Sequence, residues 1–361
     1  MQRSPLHVFL WDHMTNTIAS SISILLLLPS VSAAGCLNAS SNERLSNYCL
    51  VERASSQVID LRTAQIIDYR LKHEGYERGL GLPGRAKQFS FQPYVTPILD
   101  YETDINGGNP NKPLQLGNLT FDGDPNLVRR EGVVVGAGAG AYGRYLMGEG
   151  RYLDYGFGAS YAHSFEHDIG IQRRFASFCS KNYITNWWYI DGCANSSYVE
   201  KDLTEDTRNT LSLTASKLFT SSRNSHHQAS VGVNRVYEED YEQNQISFGF
   251  QTIHGNGWHT AVNATFGESI EGELAVREAV SASLALPVRN RRLTVSASYS
   301  EADGAQLLGV ERAEETWAFS ASYNIYKNVD VGIGYTETDS TIDYFDVSAP
   351  TISISFKPIR F

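Results

Sequence analysis

His163, Glu166, His167 and Asp168 are the closest gathering of histidine and carboxylate side chains in the chain. Metal binding needs such donors on one face of an element or on elements that converge. These four straddle a turn between two alternating segments, so a solvated turn is expected rather than a metal site. A serine hydrolase would need Ser, His and an orienting Asn or Asp meeting at one rim. His259 has the phase of an inward-facing strand residue but lies close to a turn, as do His226 and His227. No HExxH, GxSxG or phosphate-loop pattern is present. Gly136, Gly138 and Gly140 alternate with Ala137 and Ala139 as strand residues do, giving a thin wall or room for an inserted segment. No enzymatic chemistry and no cofactor are expected.

The four cysteines form two near pairs, Cys36 with Cys49 and Cys179 with Cys193, without the spacing of a zinc site. They are expected to be disulfides, which requires an oxidising compartment. The N-terminus agrees. An apolar run around Ile24 to Leu28 is followed by Pro29 and small residues up to Gly35, the pattern of a signal peptide over residues 1–33. The run is too short for a hydrocarbon core of about 30 Å, which takes about 20 apolar residues. Translation starts at Met1 or Met14, and the mature chain is expected to begin near Ala34.

With 19% charged residues among 361, the chain is neither a coiled coil nor disordered, and 30 Lys+Arg against 40 Asp+Glu leaves no basic face for nucleic acid. Residues 34–86 hold one segment of helical period, Glu52 to Glu74, with Ala54, Val58, Leu61, Ile66 and Leu71 on its apolar side and Gly75 as a stop. Arg53, Arg62, Arg70 and Lys72 beside Glu52, Asp60 and Asp68 make it too charged for lipid. It either occupies a polar lumen as a plug, through Val58 and Leu61, or hangs in the periplasm as a docking element. A lone helix of this length is marginal in water, which favours the plug.

Over residues 87–361 the period is two. Leu293, Val295, Ala297 and Tyr299 oppose Thr294, Ser296, Ser298 and Ser300, and Trp317, Phe319, Ala321 and Tyr323 oppose Ala318, Ser320 and Ser322. A soluble sandwich would carry Lys and Glu on its polar face; here that face is Ser, Thr, Gly and Asn, as in a water-filled lumen. A sheet spanning lipid must satisfy every backbone group, so it closes on itself. The expected fold is all-β, a closed antiparallel transmembrane β-barrel of about fourteen strands, with twelve to sixteen open, preceded by one short helix. Leu114 to Phe121 is counted as a strand, Glu166-His167 as a periplasmic turn, and Ser180 to Asp206 as the longest outer loop. Cys179 and Cys193 would staple that loop into a lid carrying Trp187, Trp188 and Tyr189. Arg144, Asp154 and Arg208 fall in the lumen phase, where they would set the selectivity of a channel. Ile354 and Phe356 are out of phase with Ile359 and Phe361, so a bulge is expected at Lys357-Pro358.

Phe361, closing an alternating strand, resembles the signature read by the machinery that inserts bacterial outer-membrane barrels. The segment Gln88 to Gly108, with its bend Asp104-Ile105-Asn106-Gly107-Gly108, resembles the opening strand of the surface lipoprotein assembly modifier barrels. The resemblance covers roughly residues 87–361. It implies a barrel that helps move proteins or lipoproteins to the cell surface. Its partners would be outer-membrane lipid, the insertion machinery and exported lipoprotein cargo. A passive porin-like solute channel is the second expectation, and a lipid-modifying barrel enzyme the third.

Overall fold

The computed structural model describes residue 36 and residues 42–56, 61–76, 88–116, 118–221, 224–289, 291–326 and 328–360. The expected signal peptide, Val58 and Phe361 lie outside the described residues. Among the described residues two helices precede the strands, α1 (Glu43–Ser56) and α2 (Leu61–His73). The single helix expected over Glu52 to Glu74 is thus corrected to two. The first begins earlier because the Asn42 side chain accepts from the Leu45 amide at 3.1 Å, an N-terminal cap.

The strands are β1 (Phe89–Glu102), β2 (Leu114–Leu116), β3 (Leu119–Phe121), β4 (Gly132–Gly148), β5 (Arg151–Ser164), β6 (Ile169–Thr185), β7 (Trp188–Glu200) and β8 (Glu205–Thr220). They continue as β9 (His226–Tyr237), β10 (Glu242–Ile253), β11 (His259–Gly267), β12 (Ala275–Val288), β13 (Arg291–Leu307), β14 (Val310–Tyr326), β15 (Val329–Ser340), β16 (Val347–Phe356) and β17 (Ile359–Arg360). β1 and β4 to β16 pair antiparallel in chain order, and β16 returns to β1 with Leu99 opposite Ile354. The result is a closed fourteen-stranded barrel. β17 resumes the last strand beyond Lys357-Pro358 and pairs Arg360 with Tyr94, the interruption that the phase change required.

The strand total hides two compensating errors in the sequence reading. Leu114 to Phe121 is not in the wall; β2 and β3 form a separate hairpin inside the connection from β1 to β4. Conversely, the expected loop Ser180 to Asp206 is wall: β6 runs to Thr185, turns on Asn186 and Trp187, and returns as β7. Asn186 and Trp187 have φ of 47° and 63°, the geometry of a two-residue hairpin turn. A tryptophan is a poor marker for such a turn, which is why the sequence concealed it. Cys179 and Cys193 are direct cross-strand partners on β6 and β7 and are bridged, but they staple the wall and not a lid. The connection from β5 to β6, which holds Glu166 and His167, consequently moves to the outer end. The β6–β7 turn takes its place at the periplasmic end, where the barrel's other connections are also short.

The apolar face points outward. Phe157, Leu211, Val233, Phe319, Ile333 and Ile352 are each half or more exposed, an arrangement that is stable only against lipid. Aromatic clusters band both ends of this face: Tyr299 with Trp317 toward the outer side, and Phe219, His227 and Phe250 toward the periplasm. The chain is therefore an outer-membrane β-barrel of a bacterial cell.

Candidate functional site

The lumen is occupied from the periplasmic end by α1 and α2. A buried core joins helices to wall: Cys36, Leu45, Tyr48, Cys49, Leu50 and Ile67 pack on Tyr189, Leu218 and Ile253. The Cys36–Cys49 disulfide lies inside it. Tyr48 packs edge-on against Trp187 at 4.9 Å, which explains how a tryptophan is held at positive φ in the turn below. α2 is bound to α1 by Arg70, which donates to Ser46 Oγ at 2.9 Å and Asn47 Oδ1 at 3.1 Å.

Charged contacts then orient this core. Arg144 on β4 donates to both carboxylate oxygens of Asp154 on β5, at 2.6 and 3.0 Å. It also reaches Glu43 at 3.1 Å and the His73 carbonyl at 3.0 Å, so one guanidinium clamps both helices to the wall. Arg44 on α1 pairs with Asp191 on β7 at 2.7 Å, and Lys181 on β6 shares that carboxylate at 3.3 Å. Asn42 donates to Gln228 at 2.7 Å and Gln251 at 3.1 Å. Burial raises the pKa of Glu43, but the His73 hydrogen bond and the Arg144 charge outweigh it and hold the carboxyl at about 2. Glu74 behaves oppositely. Its own burial and the nearby Glu43 charge push it up to about 7, against the pull of the Arg44 and Arg144 guanidinium groups.

Of the residues singled out in the sequence, the structure brings Arg144, Asp154, Cys36 and Cys49 together around the helices. Arg208 is remote, at the outer end of β8, where it pairs with Glu238 at 3.3 Å. Leu61 is 66% exposed; Ile67, not Leu61, supplies the buried face of α2. The glycines of β4 do not make room for the helices either. The Tyr94 ring covers Gly140, while Gly136 and Gly138 face the backbone and Ser160 of β5. His226 and His259 are buried at the periplasmic end, whereas His163 pairs with Asp168 at 3.4 Å by the outer turn. Arg44 and Asp191 are not among the lumen residues expected from the sequence, and Tyr189, expected on a lid, lies in the wall on β7.

The outer end is narrowed differently. The connection from β1 to β4 dips inward, and Ile105 is fully buried among Val134, Ala162, Ile169 and Ile171. Its bend is fixed by Asp104, whose side chain accepts from the Gly107 amide at 2.8 Å and the Gly108 amide at 3.2 Å and pairs with Lys201 at 3.1 Å. Gly107 takes a φ of 73°, which favours glycine.

No family model and no curated protein matches the chain. Among solved structures it is similar to Acinetobacter baumannii OccAB3, with 9% identity and a TM-score of 0.38 over 75% of this chain and 100% of that one. Pseudomonas aeruginosa OccK9 (OpdG) gives 9% identity and a TM-score of 0.38, over 75% of this chain and 98% of that one. The outer membrane protein OprD from Pseudomonas aeruginosa gives 7% and 0.37, over 78% and 96%. Likeness at this level assigns neither family nor solute. The resemblance to the surface lipoprotein assembly modifier barrels is corrected by these findings: no family model carries it, and the similar solved structures are OccAB3, OccK9 and OprD. The physical reason lies in the residues that suggested it. An alternating strand followed by an Asp-capped Asn-Gly bend is what any barrel needs where a strand ends in a tight inward turn. The reading of protein export falls with it.

Proposed function

We propose that the chain is a passive solute channel of the outer membrane, with α1 and α2 as a plug that leaves a passage along one wall. The observation that carries this reading is the asymmetry of the lumen. The plug's contacts run to β4, β5 and β7 to β10, through Arg144, Tyr152, Asp191, Leu218, Gln228 and Ile253. The opposite wall offers small polar groups: Ser296 and Ser320 bond to each other at 2.6 Å across β13 and β14, and Thr316 and Thr338 at 3.0 Å across β14 and β15. Gly332, Gly334 and Ser353 continue the lining onto β15 and β16. Such a wall is short enough to leave space and polar enough to keep it wet.

The test is single-channel recording of the full chain in planar bilayers. Steady conductance is expected, increasing in Arg144→Ala, where the clamp on both helices is lost. A chain that inserts but passes no ions, in either form, overturns the reading.

A further inference from the structure

The glycines of β4 and β5 form a floor on which aromatic rings lie against the inner wall. We propose that this surface is a stacking site for the pyranose ring of a neutral sugar. The proposal rests on the channel reading and names the class of solute that the channel takes.

Tyr94, Gly140, Gly158 and Phe175 form one register row across β1, β4, β5 and β6, and Gln92, Tyr142, Gly156 and Ser177 form the next row toward the periplasm. A Cβ on Gly140 would stand 2.5 Å from the Tyr94 hydroxyl oxygen. One on Gly158 would stand 2.6 Å from Phe175 Cε1, and one on Gly156 2.8 Å from Tyr142 Cδ1. Any side chain at these three positions would displace the rings. Tyr94 and Tyr142 stack at 4.9 Å with 13° between their planes, and Phe175 continues the surface 6.4 Å from Tyr142. Tyr94 is buried at the base, while Tyr142 is 48% and Phe175 36% exposed to the lumen.

Two open ring faces inside a wet lumen suit a ligand that is apolar on one face and polar around its edge. A pyranose has that form: C–H groups on the face, hydroxyls on the rim. Polar side chains stand where the rim would fall, Gln92 and Ser177 in the Tyr142 row and Ser160 one row outward of Phe175. Charge argues for a neutral solute. The lumen cations nearest this surface are already paired, Arg144 with Asp154 on the periplasmic side and Arg173 with Glu102 on the outer side. From Tyr94 to Phe175 the surface spans three strand spacings, about 14 Å, enough to seat more than one linked ring. It also lies between the Ile105 constriction outside and the plug clamp below, and its β1 edge adjoins β16, where the open wall begins.

The test is calorimetric titration of the full chain in detergent with maltotriose, paired with block of single-channel current by the same sugar. Saturable binding is expected. Tyr142→Ala and Phe175→Ala should each weaken it about tenfold, the scale of one lost aromatic face. Tyr142→Phe, which keeps the face, should bind as the parent does, and heat-modifiable migration confirms that every variant is assembled. Gly158→Val, which lifts the Phe175 ring, should weaken binding without removing an aromatic. Absence of binding, equal binding by all variants, or equal binding of a polyethylene glycol of the same mass would overturn the proposal. Conductance without sugar binding sinks the sugar site and leaves the channel. Sugar binding without conductance supports the stacking surface and sinks the channel.

Discussion

At the scale of single residues, the plug is held by few charges with opposed titration behaviour. Glu43 is held at about 2 against an ordinary 4.5, so the docking it contributes is complete above 4.5 and is lost as pH falls toward 2. Glu74 is raised from 4.5 to about 7, so its contribution is complete below 4.5 and is lost as pH rises through 7. Docking is therefore strongest near pH 4.5, where both contributions are in force, and loosens toward neutrality as Glu74 must ionise beside Glu43. A spin label at exposed position 69 on α2 reports this directly: its mobility should increase as pH is raised from 4.5 past 7, and Glu74→Gln should abolish the change. A mobility that ignores pH in the parent chain would refute the assignment.

At the scale of elements, the two disulfides have different work. Cys36–Cys49 closes a short loop within the buried plug core, and a loop of that size is worth about 3 kcal/mol by restricting the undocked chain. Cys36→Ser should make α1 and α2 sensitive to trypsin at Arg53, Arg62 and Arg70 while the barrel fragment survives. Cys179–Cys193 joins strands that are already paired from Gln172–Glu200 to Thr185–Trp188. Cys193→Ser should accordingly leave the protease pattern unchanged. New cleavage between residues 180 and 206 would show that this segment is a loop after all. The same ladder explains where Trp187, Trp188 and Tyr189 go. Trp187 packs on the plug, Tyr189 is buried beneath it, and Trp188 faces outward at the periplasmic rim, where Lys217 lies over its ring at 5.4 Å.

At the scale of the whole molecule, the outward apolar face and the closed hydrogen-bond ladder make the barrel stable only in a bilayer. Phe319 is half exposed at mid-strand on β14. Phe319→Arg should cost about 2–4 kcal/mol of folding stability in lipid, the midplane penalty for a cation. Lumen-facing Ser320→Arg, one residue away, should leave stability nearly unchanged and narrow the passage. Urea titration in lipid vesicles checks the first and single-channel conductance the second. Equal destabilisation by both would mean that the two faces have been assigned wrongly.

Much of this was legible in residue order alone. Period-two alternation, with Ser and Thr opposite Val and Phe, determined a closed membrane barrel of about fourteen strands, because the bilayer sorts side chains by a rule as local as the strand period; which segments make up the fourteen it left open at Leu114 to Phe121 and at β7. The change of phase around Lys357-Pro358 determined the break between β16 and β17 in the same way. What the sequence could not determine is what meets across the lumen. The turn at Asn186-Trp187 is held by Tyr48, a residue far back in the chain, so no local signal announced it. Glu43, His73, Arg144 and Asp154 likewise come from separate elements, and only the closed barrel makes them neighbours. Gly140 is visible within an alternating series, but its use with Gly156 and Gly158 of β5 as a floor for Tyr94, Tyr142 and Phe175 depends on the register between β1, β4, β5 and β6. Register is a property of paired strands, and tertiary closure decides it.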